Sequence, residues 1–147
     1  MATSTLIQFL EPGEAAATSN RSQTETFLAN ATITAGDWVA FDLSQTGADK
    51  CLYVIRSSAT SVGGVVCGVA LGSAVAGDKI DVCTGGFCAV AAVTNGVAAG
   101  SALIAVAAGL TDVQTAGAQE AVCGTSLTAS PAGPAPAVAE VFVTSRF

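Results

Sequence analysis

Apolar residues along this chain fall in short blocks, and the breaks between blocks hold Gly, Asp, Asn or Ser. No long segment places apolar positions at i, i+3, i+4 and i+7, so the pattern predicts strands rather than helices. The blocks are 38–43, 51–56, 65–71, 79–83, 87–93, 102–106, 120–127 and 138–144. Many short strands joined by turn residues point to a mainly β domain of barrel-like or sandwich form. Short helical connections are expected only near 72–77, within 107–118, or early at 14–19.

The sharpest local expectation is a hairpin. In Ile80-Asp81-Val82-Cys83-Thr84-Gly85-Gly86-Phe87-Cys88-Ala89, the Gly-Gly pair suits a two-residue turn with positive φ. Pairing would then set Cys83 opposite Cys88, in a non-hydrogen-bonded pair with Cα atoms about 4.5 Å apart. That is close enough for a disulfide once the chain leaves a reducing compartment. Cys83 and Cys88 are therefore the candidate disulfide.

The chain also repeats itself. Val66-Cys67-Gly68-Val69-Ala70-Leu71 aligns with Val122-Cys123-Gly124-Thr125-Ser126-Leu127 at an offset of 56 residues. The match runs through Ala76-Gly77 and Ala132-Gly133 to the strands Ile80-Asp81-Val82 and Val141-Phe142-Val143, giving units at about 65–83 and 121–143. An Ala-Gly-Asp step precedes two strands, at 35–37 and 76–78.

Composition narrows the chemistry. The chain has 147 residues, one domain's worth, with 51% hydrophobic residues, 11% charged and 5% aromatic. Alanine (30) and glycine (16) dominate, which is the reverse of a disordered composition. Net charge is −6, and the five bases, Arg21, Lys50, Arg56, Lys79 and Arg146, are dispersed. Neutralising a phosphate backbone needs clustered Lys and Arg, so no nucleic-acid partner is expected. Histidine is absent, which removes the usual general base and metal ligand. The five cysteines form no C-x-x-C, and Cys51, Cys67 and Cys123 read as small buried hydrophobes. No catalytic residue, cofactor or metal site is expected, and an enzyme is disfavoured. The uncharged stretch between Asp81 and Asp112 is broken by Gly85-Gly86, Asn95-Gly96, Gly100 and Gly109, so no membrane span is expected. The N-terminus lacks the basic start and long apolar run of a signal peptide, which implies a protein made in a cytoplasm.

Residues 1–35 differ from the remainder. Leu6, Ile7, Phe9 and Leu10 form an apolar cluster before a polar stretch at 11–26. The expected organisation is an N-terminal arm and tether over 1–35, followed by a β-rich domain over 36–147. The candidate partner-binding arm residues are Leu6, Ile7 and Phe9, which could add a strand to an exposed edge or fill a groove.

Three segments carry a family resemblance: Ala35-Gly36-Asp37-Trp38-Val39; Val66 to Leu71 running on through Ala76-Gly77-Asp78-Lys79-Ile80-Asp81-Val82; and Val122 to Ala129 ending in Val141-Phe142-Val143. Over about residues 30–145 the chain resembles the capsid decoration, or head cement, proteins of tailed bacteriophages. In that family the later segment tends to read Gly-Arg-Ala-Leu, where this chain has Thr125 and Ser126 after the glycine. The resemblance implies a small barrel-like domain of β-tulip type, often a homotrimer, on the outer surface of a phage head. Its partners would be the major capsid protein and copies of itself, with a dimer as the alternative to the trimer, and it implies no active site. The other reading is a small β-rich adhesive or carbohydrate-binding module on a virion or cell surface. A row of exposed aromatics would favour it, but the chain has one Trp and one Tyr.

Overall fold

The computed structural model describes residues 22–58, 65–115, 121–133 and 136–144. They form nine strands: β1 (Ser22–Ala29), β2 (Trp38–Phe41), β3 (Tyr53–Arg56), β4 (Val66–Ala70), β5 (Lys79–Val93), β6 (Ala102–Ala105), β7 (Thr111–Val113), β8 (Val122–Ser126) and β9 (Ala137–Val143). The only helical pieces among the described residues are short 3-10 turns at Gly47–Cys51 and Ala107–Gly109. The mainly β expectation holds. Of the expected helical connections, 107–118 contains the second turn, whereas 72–77 is not helical.

The strands close two circuits that share β5. The first runs β1–β3–β2–β4–β5 and back to β1. The second runs β5–β7–β6–β8–β9 and back to β5. Residues 79–86 of β5 face β1, and residues 86–93 face β9, so the strand leaves one ring and enters the other at Gly86. Each ring holds one parallel pair in its matching place, β1–β3 and β5–β7.

The two rings repeat each other bond for bond. Gly36 N donates to Ala70 O at 2.8 Å and Gly100 N to Ser126 O at 2.7 Å. Leu71 N donates to Asp81 O at 2.9 Å and Leu127 N to Glu140 O at 2.8 Å. Asn30 N donates to Val54 O at 2.9 Å and Thr94 N to Thr111 O at 2.8 Å. Inside the rings, the Cys67 thiol donates to Val39 O at 3.4 Å and the Cys123 thiol to Leu103 O at 3.3 Å. The repeat read from 66–71 and 122–127 is therefore part of a duplication that spans the described domain. Its final strand needs a correction. Ala70 pairs with Val82 and Ser126 with Val141, so Val141 matches Val82, two residues from the sequence alignment.

Two more corrections concern β5 and β1. No hairpin turns at Gly85-Gly86, because Lys79–Val93 is one strand. The glycines mark the handover between rings, where β5 bends and Gly86 takes φ +83. The proposed boundary at residue 35 also fails for residues 22–35. β1 lies inside the first ring, and Phe27, Ala29 and Ile33 are buried in its core. Polar Gln23 to Thr26 lie on its exposed part, which is why that segment reads as a tether. The arm residues Leu6, Ile7 and Phe9 lie outside the described residues.

Each ring has its own core. Phe27, Ile33, Val39, Val54, Ile80 and Val82 pack in the first, with Phe27 and Phe41 edge to face at 5.8 Å. Val93, Val97, Leu103, Ala139 and Val141 pack in the second. Trp38, Val69 and Cys83 belong to strands of the first ring yet pack with the second ring's cluster. Trp38 reaches across to Gly124, where an added Cβ would lie 2.8 Å from its Cη2. The shared strand and this indole join the rings into one folded unit.

Candidate functional site

Three features could carry function: a charged clamp between the rings, a buried thiol pair, and an apolar outer face on the second ring.

The clamp begins at Asp37, which follows the turn glycine Gly36 and is almost fully buried. Arg56 Nε lies 2.8 Å from Asp37 Oδ2, and Arg56 Nη2 donates to Asp37 Oδ1 at 3.3 Å and to Ala108 O at 2.6 Å. Thr34 N also donates to Asp37 Oδ2, at 2.8 Å. Gly109 N donates to Ser57 O at 2.9 Å, so the 107–109 turn of the second ring is held against the first. Ala108 adopts φ 59 there, a conformation L-residues rarely take without surrounding support. The matching positions in the second ring are Ser101 and Val113, so the clamp occurs once. It joins the two rings through Arg56, which holds Asp37 of the first and Ala108 O of the second.

A second polar cluster sits at the end of the first ring. Asp42 accepts from Gln45 Nε2 at 2.8 Å, Ser44 Oγ at 2.6 Å, Ser44 N at 3.0 Å and Asn30 Nδ2 at 2.6 Å. These bonds, with Gln45 and Ser44 foremost, lower its pKa from the ordinary 3.8 to about 2. A carboxyl with a depressed folded pKa adds stability above its unfolded pKa and loses it as pH falls through the folded one. Asp42→Asn should therefore cost about 1–2 kcal/mol at pH 7, after allowance for solvent screening, and the difference from wild type should vanish near pH 2. Urea titrations at pH 7, 4 and 2.5 would check this. A constant difference across that range would contradict it.

The thiol pair survives the loss of the hairpin. Cys83 and Cys88 lie on one strand, both buried, and are hydrogen-bonded to each other. Cys83 Sγ also lies 3.6 Å from both Gly85 O and Phe87 O, beside the register shift of β5 against β1. The bond between the thiols raises Cys83 and lowers Cys88, and burial pushes each toward the protonated form. Cys67 sits inside the first ring, where burial pushes its thiol up to about 12. Of the five cysteines, Cys51 alone is exposed, and Cys67, Cys83, Cys88 and Cys123 are buried. Native protein should thus titrate one fast thiol, with the other four reacting after unfolding. Full oxidation is expected to link Cys83 to Cys88, as peptide mapping would reveal. Both thiols free in fully oxidised protein would contradict that expectation.

The second ring presents an apolar outer face. Along β9, Ala137, Ala139, Val141 and Val143 point inward, while Val138, Glu140 and Phe142 point out. Phe142 pairs with Phe87 on β5 and with Thr125 on β8, and Leu127 bonds to the Glu140 carbonyl. Phe142 is 49% exposed and Val138 59%. Sequence reading treated this strand only as the end of a repeat, because alternation alone leaves open which apolar residues face out. Among the described residues no three Cys, Asp or Glu side chains gather at one point, and no helix is long and apolar enough to cross a membrane.

With this geometry in view, the chain can be set beside known proteins. No protein-family model matches it, and no curated protein matches it by sequence. Its fold is similar to a solved structure, the head fiber gp8.5 N base of bacteriophage phi29. The two align over 86% of this chain and 98% of that one, with a TM-score of 0.56 and 15% identity. The likeness establishes a shared fold.

Proposed function

We propose that this chain is a structural protein of a bacteriophage head, a decoration or cement protein. In this reading it binds the outer surface of the capsid and stabilises contacts between major capsid protein subunits. The observation that carries the proposal is the fold shared with a phage head fiber N base, which spans nearly all of that solved chain. The residue patterns that resemble the decoration family point the same way. The physical character suits the task. Two small rings share a strand, are clamped by Asp37 and Arg56, and present apolar side chains outward. A protein that binds by rigid surface contact loses little conformational entropy on docking. A net charge of −6 with dispersed bases gives little attraction to packaged DNA.

The contact with the capsid is assigned to Leu6, Ile7 and Phe9. Residues 22–29 enter the first ring as β1, so the preceding segment is tethered to the domain at Ser22. Burying one large apolar side chain contributes roughly 1.5–3 kcal/mol, so losing Ile7 and Phe9 together should weaken binding by about 100-fold or more per site. The test is co-sedimentation of purified chain with heads assembled from the encoding phage's major capsid protein. Wild type should bind at a fixed ratio, and a chain lacking residues 1–12 should fold but bind poorly. Wild type that stays in the supernatant would contradict the head-surface role. Undiminished binding of the shortened chain would move the contact from the arm to the rings.

A further inference from the structure

We infer that Asn95-Gly96, in the turn that leaves β5, is a site of spontaneous deamidation, where Asn95 converts to aspartate and isoaspartate. The inference is independent of capsid binding.

The reaction needs an asparagine amide free of other bonds, a following backbone nitrogen able to reach it, and water. Asn95 is the one asparagine followed by glycine. Both residues are exposed. Neither the Asn95 side chain nor the Gly96 N–H makes a hydrogen bond among the described residues. Gly96 takes φ +72, and nothing lies within 4 Å of the place a Cβ would occupy. Glycine carries no Cβ to crowd its own nitrogen. That nitrogen gives its proton to hydroxide and bonds to Asn95 Cγ. The Cγ–Nδ2 bond breaks, and the leaving nitrogen takes a proton from water to depart as ammonia, which returns the hydroxide. One water then opens the five-membered succinimide. Attack at Cγ restores the ordinary backbone with an aspartate. Attack at the Asn95 backbone carbonyl leaves the chain running through Cβ and Cγ, as isoaspartate.

Asn30 is the contrast within the same fold. It is followed by Ala31, and its amide donates to Asp42 Oδ2 at 2.6 Å. The duplication shows the same turn built without the reactive pair. The bond from Asn30 N to Val54 O matches that from Thr94 N to Thr111 O, and the bonds between Ile33 and Ala74 match those between Val97 and Ser130. Ala31-Thr32 therefore stands in the first ring where Asn95-Gly96 stands in the second.

The surroundings separate the two products. Thr94 is held by Thr111 O and by Ser130 Oγ, which donates to Thr94 O at 3.2 Å. Val97 N donates to Ser130 Oγ at 2.9 Å, and Ser130 N to Val97 O at 2.8 Å. Only residues 95 and 96 lie between these fixed ends. Aspartate keeps the backbone length and places a carboxylate one residue from Thr94, whose hydroxyl donates to Asp112 at 2.6 Å. Isoaspartate adds a methylene to the fixed span, so its strain falls on Val97, which is buried in the second ring's core.

The experiment incubates the purified full chain at pH 8 and 37 °C for several weeks, with isoelectric focusing and peptide mass mapping of successive samples. A more acidic band should grow with time and map to residue 95, while Asn30 stays intact. Asn95→Ser should give no such band. Gly96→Ala should slow its growth about tenfold or more, because a Cβ then crowds the attacking nitrogen. If circular dichroism shows Gly96→Ala to be unfolded, Asn95→Ser decides the site alone. An intact Asn95 amide at the end of the incubation would overturn the inference, as would an acidic band that persists in Asn95→Ser. Urea unfolding then compares the products. Asn95→Asp should keep the midpoint of fresh wild type, and the separated isoaspartate fraction should unfold at lower urea. An isoaspartate fraction with the wild-type midpoint would overturn the strain assigned to Val97.

Discussion

Gly68→Ala is expected to prevent stable folding, the largest effect of any single methyl addition to this chain. A Cβ at Gly68 would lie 2.0 Å from Cys83 O and 2.8 Å from its carbonyl carbon. Both atoms belong to the backbone of β5, the strand that the two rings share, so no side chain can swing away to make room. Gly68 also takes φ +154 at the irregular step where β4 leaves register with β2. The cost should exceed about 4 kcal/mol, much of the roughly 5–15 kcal/mol that holds a typical domain together. The duplication supplies the comparison. Gly124 occupies the matching place, where an added Cβ would lie 2.8 Å from Phe142 O and from Trp38 Cη2. That approach is less severe, so Gly124→Ala should destabilise less than Gly68→Ala. Urea unfolding followed by circular dichroism gives both values. Gly68→Ala with a wild-type midpoint would contradict the close approach on which the first ring is built.

Trp38→Ala is the second large effect. Trp38 is fully buried and is the one large side chain that crosses from the first ring into the second ring's cluster. Removing it leaves a cavity between rings otherwise filled by small residues, which should cost about 3–5 kcal/mol. Trp38→Phe should cost far less. The indole Nε1 is buried with no hydrogen-bond partner among the described residues, and phenylalanine removes that penalty while keeping most of the volume. Equal losses for the two variants would show that volume at this joint is not what matters. The wild-type indole, as the only tryptophan, should emit at short wavelength and shift to the red as the rings separate.

How far the sequence revealed this architecture depended on the physical signal each feature leaves. Strands β2, β3, β4, β6, β8 and β9 are apolar blocks between turn residues, and each was legible to within a few positions. β1 was not, because Gln23, Thr24, Glu25 and Thr26 face solvent and only Phe27 and Ala29 announce its buried side. β7 is three residues long and holds Asp112, too little pattern to stand out. The Gly85-Gly86 pair misled for a specific reason. Two glycines between apolar runs suit a turn, but they equally suit a strand that changes partner from β1 to β9.

The duplication was half legible. Its cysteine-glycine segments carry the same packing demand, a thiol donated to a carbonyl inside each ring and a glycine beneath the next strand. Elsewhere the rings agree in backbone bonds but not in side chains. Phe27 and Phe41 of the first ring correspond to Ala91 and Ala105 of the second. The candidate site followed the same rule. The contact between Cys83 and Cys88 was anticipated, though from a hairpin that does not form. The Phe142 face was missed, because whether an outward apolar residue is covered depends on the partner ring and not on its own strand.

Electron cryo-microscopy of phage heads, prepared with and without the bound chain, tests the head-surface role most directly. The account predicts added density on the outer face of the shell, each copy resolved as two fused five-stranded rings with a link running down onto the capsid subunits. Identical maps with and without the chain, or density confined to the interior or the tail, would contradict it.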